Sequence, residues 1–266
     1  MEQVKARALS KTFVAPGITK LRLFAPQIAK AAVPGQFVHV RCGEDRDFIL
    51  RRPFSIHQVT GPDSIEILFN VVGSGTRWLS NLAIKDSVDI LGPLGKGFDL
   101  AGDSERATLV AGGMGIAPLV FLATKLVEAH VKVSIVMGAA TREQLLDYMD
   151  LKRLSFRVTV ATEDGSQGTK GLVTDVLNAA IANDKPTIIY SCGPKAMLKE
   201  VSRIAEEADI RCQVALEELM ACGVGVCLSC VTETIGGYKK VCSSGPVFDS
   251  SEIAWDADRG SQAQGR

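Results

Sequence analysis

Leu109-Val110-Ala111-Gly112-Gly113-Met114-Gly115-Ile116-Ala117-Pro118 reads as an apolar strand, a glycine turn and a helix with proline in its first turn. The rhythm of the chain changes here. Downstream, apolar strands near Thr108–Ala111, Lys132–Met137, Arg157–Ala161, Thr187–Ser191 and Cys212–Leu216 alternate with helical segments, the pattern of a parallel sheet with crossover helices. Upstream, to about Leu100, short β-branched runs (Thr19–Phe24, Gln36–Val40, Ser64–Asn70, Ser87–Ile90) are broken by Pro and Gly, as in an antiparallel barrel or sandwich. Between the two, Ala101-Gly102-Asp103-Ser104-Glu105-Arg106 is polar and small, as expected of an exposed linker.

A length of 266 residues calls for more than one core. Lys+Arg and Asp+Glu balance at 30 each, which gives no basic surface for nucleic acid, and hydrophobic residues at 46% argue against disorder. Charges scattered over Met1–Arg7 and the lack of any run of about 18 apolar residues predict neither export signal nor membrane span, hence a cytoplasmic protein. Asp256–Arg266 is polar, and fraying is expected there.

The strongest chemical signal lies after Glu218, where glycine and cysteine crowd together. Cys222, Cys227 and Cys230 form a C-x4-C-x2-C run, and Cys242 follows after eleven intervening residues. Four thiolates at this spacing suit a 2Fe-2S cluster, and Gly223 and Gly225 give the loop the backbone freedom to turn N–H groups inward. A structural zinc site or two chance buried pairs are the alternatives. With seven cysteines in all, an odd number, a disulfide framework is not indicated; Cys42 and Cys212 read as small buried hydrophobes.

Two motifs in the β-rich half suit a dinucleotide. In Arg51-Arg52-Pro53-Phe54-Ser55-Ile56 a guanidinium can grip a pyrophosphate, an aromatic can lie on a ring and a hydroxyl can reach a ring nitrogen; the plainer reading is an edge strand with solvated arginines. Gly73-Ser74-Gly75-Thr76 leads into a helical segment from Arg77, a phosphate-binding start or an ordinary glycine turn capped by Thr76. In the second half, Gly112, Gly113 and Gly115 outline a pyrophosphate turn, though without the G-x-G-x-x-G fingerprint, so any tight strand–helix turn would also read this way. Cys192-Gly193-Pro194 ends a late strand and should face the same cleft, with Cys192 either near a nicotinamide or structural. Met137-Gly138-Ala139-Ala140 ends without an acidic residue and Arg142 follows, so charge does not decide NAD against NADP. His39, His57 and His130 are scattered and receive no catalytic role.

Taken in order, R-P-F-S and G-S-G-T, then G-G-M-G-I-A-P and C-G-P, then M-A-C-G-V-G-V-C-L-S-C with a fourth cysteine before G-P-V-F, the chain closely resembles one family. It is similar from about Lys5 to Trp255 to the electron-transfer subunits of dihydroorotate dehydrogenase B, among the ferredoxin-reductase-like flavoproteins. The resemblance implies a β-barrel FAD domain (1–100), an α/β parallel-sheet NAD-binding domain (101–216) and a C-terminal 2Fe-2S unit (217–266). It also implies FAD contacts from Arg52, Pro53, Phe54, Ser55, Leu68, Phe69, Asn70, Gly75 and Thr76, and cluster ligation by Cys222, Cys227, Cys230 and Cys242. The partner would be an FMN-containing catalytic subunit that oxidises dihydroorotate, in a heterotetramer, with electrons passing through cluster and FAD to NAD. Rival readings are a reductase of the same plan serving sulfide or a ferredoxin, and a zinc-stabilised nucleotide-binding scaffold.

Overall fold

A computed structural model of the chain describes residues 1–43, 48–100, 106–154 and 156–256. Six strands, β1 (Glu2–Ala15), β2 (Ile18–Phe24), β3 (Phe37–Val40), β4 (Arg52–Thr60), β5 (Ser64–Asn70) and β6 (Ser87–Leu94), close into an antiparallel barrel in the order β1-β2-β5-β4-β3-β6. Cross-strand pairs fill it: Leu21 faces Ile67 and Leu23 faces Ile65, all four fully buried. The short helix α1 (Pro26–Ala31) lies between β2 and β3, and α2 (Ser74–Asn81) between β5 and β6. Sequence reading did not find β1, because its inward positions are Ala6 and Ala8, too small to mark a hydrophobic alternation among the charged residues beside them. Helix α2 begins at Ser74, ahead of the expected Arg77, so Gly75 and Thr76 belong to its first turn.

Beyond the barrel, β7 (Arg106–Gly112), α3 (Ile116–Glu128), β8 (Lys132–Ala139), α4 (Tyr148–Arg153), β9 (Arg157–Thr162), β10 (Thr169–Lys170), α5 (Val173–Asn183), β11 (Ile188–Cys192), α6 (Lys195–Glu207) and β12 (Arg211–Ala215) alternate as expected. The cysteine segment then adds the hairpin β13 (Val231–Thr234) and β14 (Gly237–Lys240), a single helical turn α7 (Val241–Ser244), and β15 (Val247–Asp249). The sheet order is β10-β9-β8-β7-β11-β12-β15. Strands β7 and β11 are neighbours at its centre, where successive crossovers diverge to opposite sides. Ligands in open α/β sheets sit beyond the strand ends at such a switch point. Of the linker expected at 101–106, all but Arg106, which opens β7, lies outside the described residues, as does the tail beyond Asp256.

The pieces share cores. Phe98 leaves the barrel to pack edge-on against Tyr190, with ring centroids 5.5 Å apart, while Phe121 of α3 is buried in the barrel's own cluster. Strand β15 runs antiparallel to β12, pairing Phe248 with Val214. The cysteine segment therefore leaves the sheet after Ala215 and returns to the same edge, and Cys230, Val241, Cys242 and Phe248 join one core with Val214, Leu216, Phe37 and Leu94. The C-terminal cysteine unit is thus stitched into the edge of the sheet. Among the described residues no helix is long and apolar enough to cross a membrane.

Phe248 is 5% exposed and its ring fills the space in front of Gly245. Phe248→Ala is expected to cost about 3–5 kcal/mol, the usual price of an aromatic-sized void in a core. Urea unfolding of the chain checks this, with iron content following the loss of the β12–β15 pairing.

Candidate functional site

Three clefts converge on the carboxyl end of the sheet. The first, of about 450 Å³, lies between barrel and sheet, and its walls include Arg52, Pro53, Phe54, Ser55, Leu68, Phe69, Asn70 and Thr76. The structure thus gathers both barrel motifs at one cavity. Arg51 and Arg52 are divided in their tasks: Arg51 pairs with Asp89 at 2.9 Å and is held to the barrel wall, whereas the Arg52 guanidinium lies against Gly75, whose imagined Cβ would sit 3.4 Å from its Nε. The aromatic rings of Phe54 and Phe69 pack 5.3 Å apart at the apolar end. Thr76 Oγ1 accepts hydrogen bonds from the N–H groups of Val72 and Gly73 at 3.0 and 3.1 Å, so its hydroxyl shapes the turn from within. Gly73 faces open space, which leaves the helix start accessible. An arginine beside a glycine-lined helix start, ending in an apolar aromatic wall, fits a dinucleotide with a flat ring system.

The second cleft, about 390 Å³, is lined by Gly112, Gly113, Met114, Gly115, Gly193 and Pro194. Here the two turns after β7 and β11 touch backbone to backbone. A Cβ on Gly115 would lie 2.1 Å from the Cys192 carbonyl oxygen, and one on Gly193 would lie 3.0 Å from the Gly112 nitrogen. Glycine is therefore obligatory at Gly115 for steric reasons, while Gly113, with φ of 52°, faces open space where a phosphate could lie. Cys192 itself is buried, with its thiol pushed well above the ordinary range by desolvation and by Glu217. It supports the turn from below and is not in this cleft's lining. Cys42 and Cys212 are buried as well, and burial pushes them up to about 11 and about 12.

Met114, Leu216, Glu217 and Glu218 line both clefts, so the two open into one another. Glu217 stands at the shared lip, where desolvation pushes its carboxyl upward. A third cleft of about 480 Å³ continues from Gly112 past Gly138, Ala139 and Ala140 to Glu163 and Glu200. Arg142 is elsewhere, in a depression with Tyr148 and Lys152. Sequence reading missed Glu163 and Glu217. Glu163 sits one residue past the end of β9, a strand-end position that the expected strand at Arg157–Ala161 did point to.

The segment leading into the cysteine loop closes the far wall of the first cleft, where Leu219 and Met220 line it. Cys222 and Cys227 lie in hydrogen-bonding reach of each other, as do Cys230 and Cys242. Among the described residues no three acidic, His or Cys side chains converge on one point. Two neighbouring thiol pairs offer the two thiolates per iron that a 2Fe-2S cluster requires. The loop's amides turn inward as its glycines allow: the N–H groups of Val224, Val226 and Cys227 donate to Cys222 Sγ at 3.3–3.5 Å, and that of Gly225 is directed at Cys242. Gly223 and Gly225 have φ of 69° and 84°. Burial pushes Cys222 up, but these amides outweigh it and hold the thiol below its usual value. Burial also pushes Cys242 up to about 12 in the metal-free chain. Behind the loop, His39 abuts Gly223, where a Cβ would meet its Nδ1 at 2.5 Å, and pairs across the barrel wall with Pro53. The cysteine loop is thus one residue layer from the strand that carries Arg52–Ser55.

Barrel, NAD-binding sheet and cysteine loop together define a ferredoxin-reductase-like oxidoreductase. Residues 109–203 match the oxidoreductase NAD-binding domain family, and residues 217–254 match the iron–sulfur cluster binding domain of dihydroorotate dehydrogenase B. The chain is 42% identical over 256 residues to the electron transfer subunit of dihydroorotate dehydrogenase B (NAD(+)) of Desulforamulus reducens, covering 94% of this chain and 98% of that one. With the subunit of the same name from Caldanaerobacter subterraneus subsp. tengcongensis it shares 40% identity over 255 residues, 94% and 98% of the two chains. The chain belongs to this family of electron-transfer subunits. Among solved structures, that of an NADH-dependent reduced ferredoxin-NADP oxidoreductase, described for flavin-based electron bifurcation, superposes with a TM-score of 0.85 at 30% identity, over 95% of this chain and 91% of that one. The Neisseria gonorrhoeae ferredoxin NADP+ reductase with bound FAD and NADP shares the fold, with a TM-score of 0.66 at 17% identity over 78% of this chain and 92% of that one.

The thiols make a chemical test of the loop possible. Hydrogen bonds from the Ser229 hydroxyl and amide, then from Cys222, lower exposed Cys227 to about 6, so in metal-free protein its thiolate is half formed there. Alkylation of Cys227 is expected to rise through pH 6 and level off above it, while Cys192 stays unmodified to pH 8. Peptide mass spectrometry after timed iodoacetamide treatment checks both.

Proposed function

We propose that this chain relays electrons between an FMN-containing dihydroorotate dehydrogenase catalytic subunit and NAD, as a cytoplasmic heterotetramer with that partner. The observation that carries this reading is the position of the first cleft, which opens on one side to the glycine turns and is walled on the other by Leu219 and Met220, the residues that lead into the cysteine loop. Nicotinamide exchanges a hydride and an iron–sulfur cluster a single electron, whereas a flavin does both, so a flavin belongs in the middle.

The residues have separable tasks. Arg52 and the amides at the start of α2 bind the FAD pyrophosphate, with Gly75 giving Arg52 room; Phe54, Leu68 and Phe69 take the apolar part, and Ser55, Pro53, Asn70 and Thr76 fix its orientation. Gly112, Gly113, Gly115, Gly193 and Pro194 admit the NAD pyrophosphate and nicotinamide, and Cys192 supports that turn. Met114 and Leu216, which line both clefts, would keep water from the junction between the bound flavin and nicotinamide. Cys222, Cys227, Cys230 and Cys242 hold a 2Fe-2S cluster, whose potential the inward amides tune. Leu219, Val226 and Leu228 are 88%, 79% and 61% exposed around Cys227, an apolar face suited to a second subunit covering the cluster.

Cys230→Ser tests the division of labour: orotate-linked turnover and cluster absorbance are expected to fall at least about tenfold, while NADH reduces the FAD of the isolated chain at close to the normal rate. Equal loss of both would refute the assignment. A reductase of the same plan serving a ferredoxin is the second reading, supported by the 30% identity to the NADH-dependent ferredoxin oxidoreductase. Co-purification separates them, since only the first predicts an FMN subunit that turns over orotate.

The third cleft takes the adenosine end of the nucleotide, by its continuity with the glycine turn. The Glu163 carboxylate suits a ribose hydroxyl and repels a 2′-phosphate, which favours NAD over NADP, whereas Glu200 is paired with Arg203. Glu163→Arg is expected to raise the NADPH-to-NADH ratio of kcat/KM by about tenfold or more, the effect of replacing a like charge by a charge-assisted pair. Steady-state kinetics with both nucleotides decide it.

A further inference from the structure

Between barrel and sheet, three ionisable side chains that line none of the three clefts meet in a buried cluster. Asp147, just before α4, has φ of 54° and a carboxylate only 5% exposed. Its two partners come from the barrel: Lys20 Nζ of β2 lies 2.6 Å from Oδ1, and His57 Nε2 of β4 lies 3.4 Å from Oδ2. On its other side, His57 Nδ1 lies 3.0 Å from the carbonyl oxygen of Ala117 in the first turn of α3. A carbonyl only accepts, so Nδ1 carries the proton and donates.

The backbone of β4 is shaped for this contact. Pairing with β5 slips at one point, from Ile56 opposite Ile67 to Gln58 opposite Glu66, which makes His57 the extra residue of a β-bulge. A bulge re-aims the side chain at its centre. In β4 it leaves Ile56 and His57 both buried, consecutive residues that a regular strand would point to opposite faces. His57 thereby turns out of the barrel into α3. Next to it, Gln58 Nε2 donates to Thr124 Oγ1 of the same helix at 3.0 Å.

Ala117 and Met114 line the first cleft, as do Arg52–Ser55 on the strand that carries His57. Leu68, another lining residue, pairs in register with Lys20. One strand thus grips the first cleft's contents at one end and, through His57, the helix that starts at the glycine turn at the other. We infer that His57, braced by Asp147 and Lys20, is a positioning residue for hydride exchange, setting the distance between the nicotinamide turn and the flavin strand. This rests on the assignment of the clefts made above. Misplacement of reacting atoms by about 1 Å costs up to about a hundredfold in rate, so a hydrogen bond outside the site can govern the step.

The test compares His57→Leu, His57→Asn, which keeps an N–H donor near the position of Nδ1, and Asp147→Asn. Stopped-flow reduction of the flavin by NADH in the holoprotein should slow about tenfold to a hundredfold in His57→Leu, with KM for NADH changed less than about twofold and the deuterium isotope effect from 4-deuterated NADH enlarged. His57→Asn should recover most of the rate. In cofactor-free protein, hydrogen exchange at the amides of 114–117 and 119 should quicken in His57→Leu and not in the β13–β14 hairpin. A normal hydride rate in His57→Leu, equal loss in His57→Asn, or exchange that quickens everywhere alike overturns the inference. If His57→Leu does not fold, Asp147→Asn decides by the same rate and exchange measurements, a rate at the unsubstituted value overturning it. Failure of NADH to reduce the unsubstituted holoprotein would instead count against the assignment of the clefts.

Discussion

Three antiparallel residue pairs between β12 and β15 decide where the cysteine loop can be. The chain leaves the sheet at Ala215 and is brought back at Val247, so everything between has to lie over the same sheet edge, beside the barrel. That constraint presses Gly223 against His39 and sets Leu219 and Met220 in the wall of the first cleft. Without it the four cysteines would form an independent knot whose distance from the barrel nothing fixed. Because Cys230, Cys242 and Phe248 share a core with Phe37 and Leu94 of the barrel, the stability of the loop is also that of the junction.

A second constraint acts at the centre of the sheet, where the turns after β7 and β11 meet with no side chain between them. Backbone packed on backbone cannot shift without moving both strands. The glycine-turn side of the site is accordingly the rigid part, and β4 of the barrel is joined to it through α3. Charge is used sparingly in this arrangement. Arg51 is tied to Asp89, which burial pushes up but Arg51 and Gln3 hold below the carboxylate range, so that Arg52 alone faces the cleft.

Much of this was legible in the residues. The cysteine spacing, the R-P-F-S run and the glycine turns each have a chemical reason to be where they are, and the structure brings the barrel motifs to one cavity and the sheet turns to the next. What escaped had no local signature. Strand β1 hides behind alanines, β15 is three residues long and identified only by its partner, and Glu163 and Glu217 become cleft residues only once the strands are in order. His57 is the clearest case. A lone histidine in a strand carries no message, and the bulge that turns it outward is a property of the pairing between two strands, not of either one.

The edge strand β15 has a consequence of another kind. An open sheet ends in a row of unsatisfied amides and carbonyls, a template on which a foreign chain can add itself. Here the segment that carries the cysteines also supplies the strand covering β12. Because the two form one continuous segment, any change that frees the cysteine loop from its core with Val214 and Leu216 also loosens the cover on β12 and exposes that rim. Integrity of the cysteine loop and protection against aggregation are in this way linked.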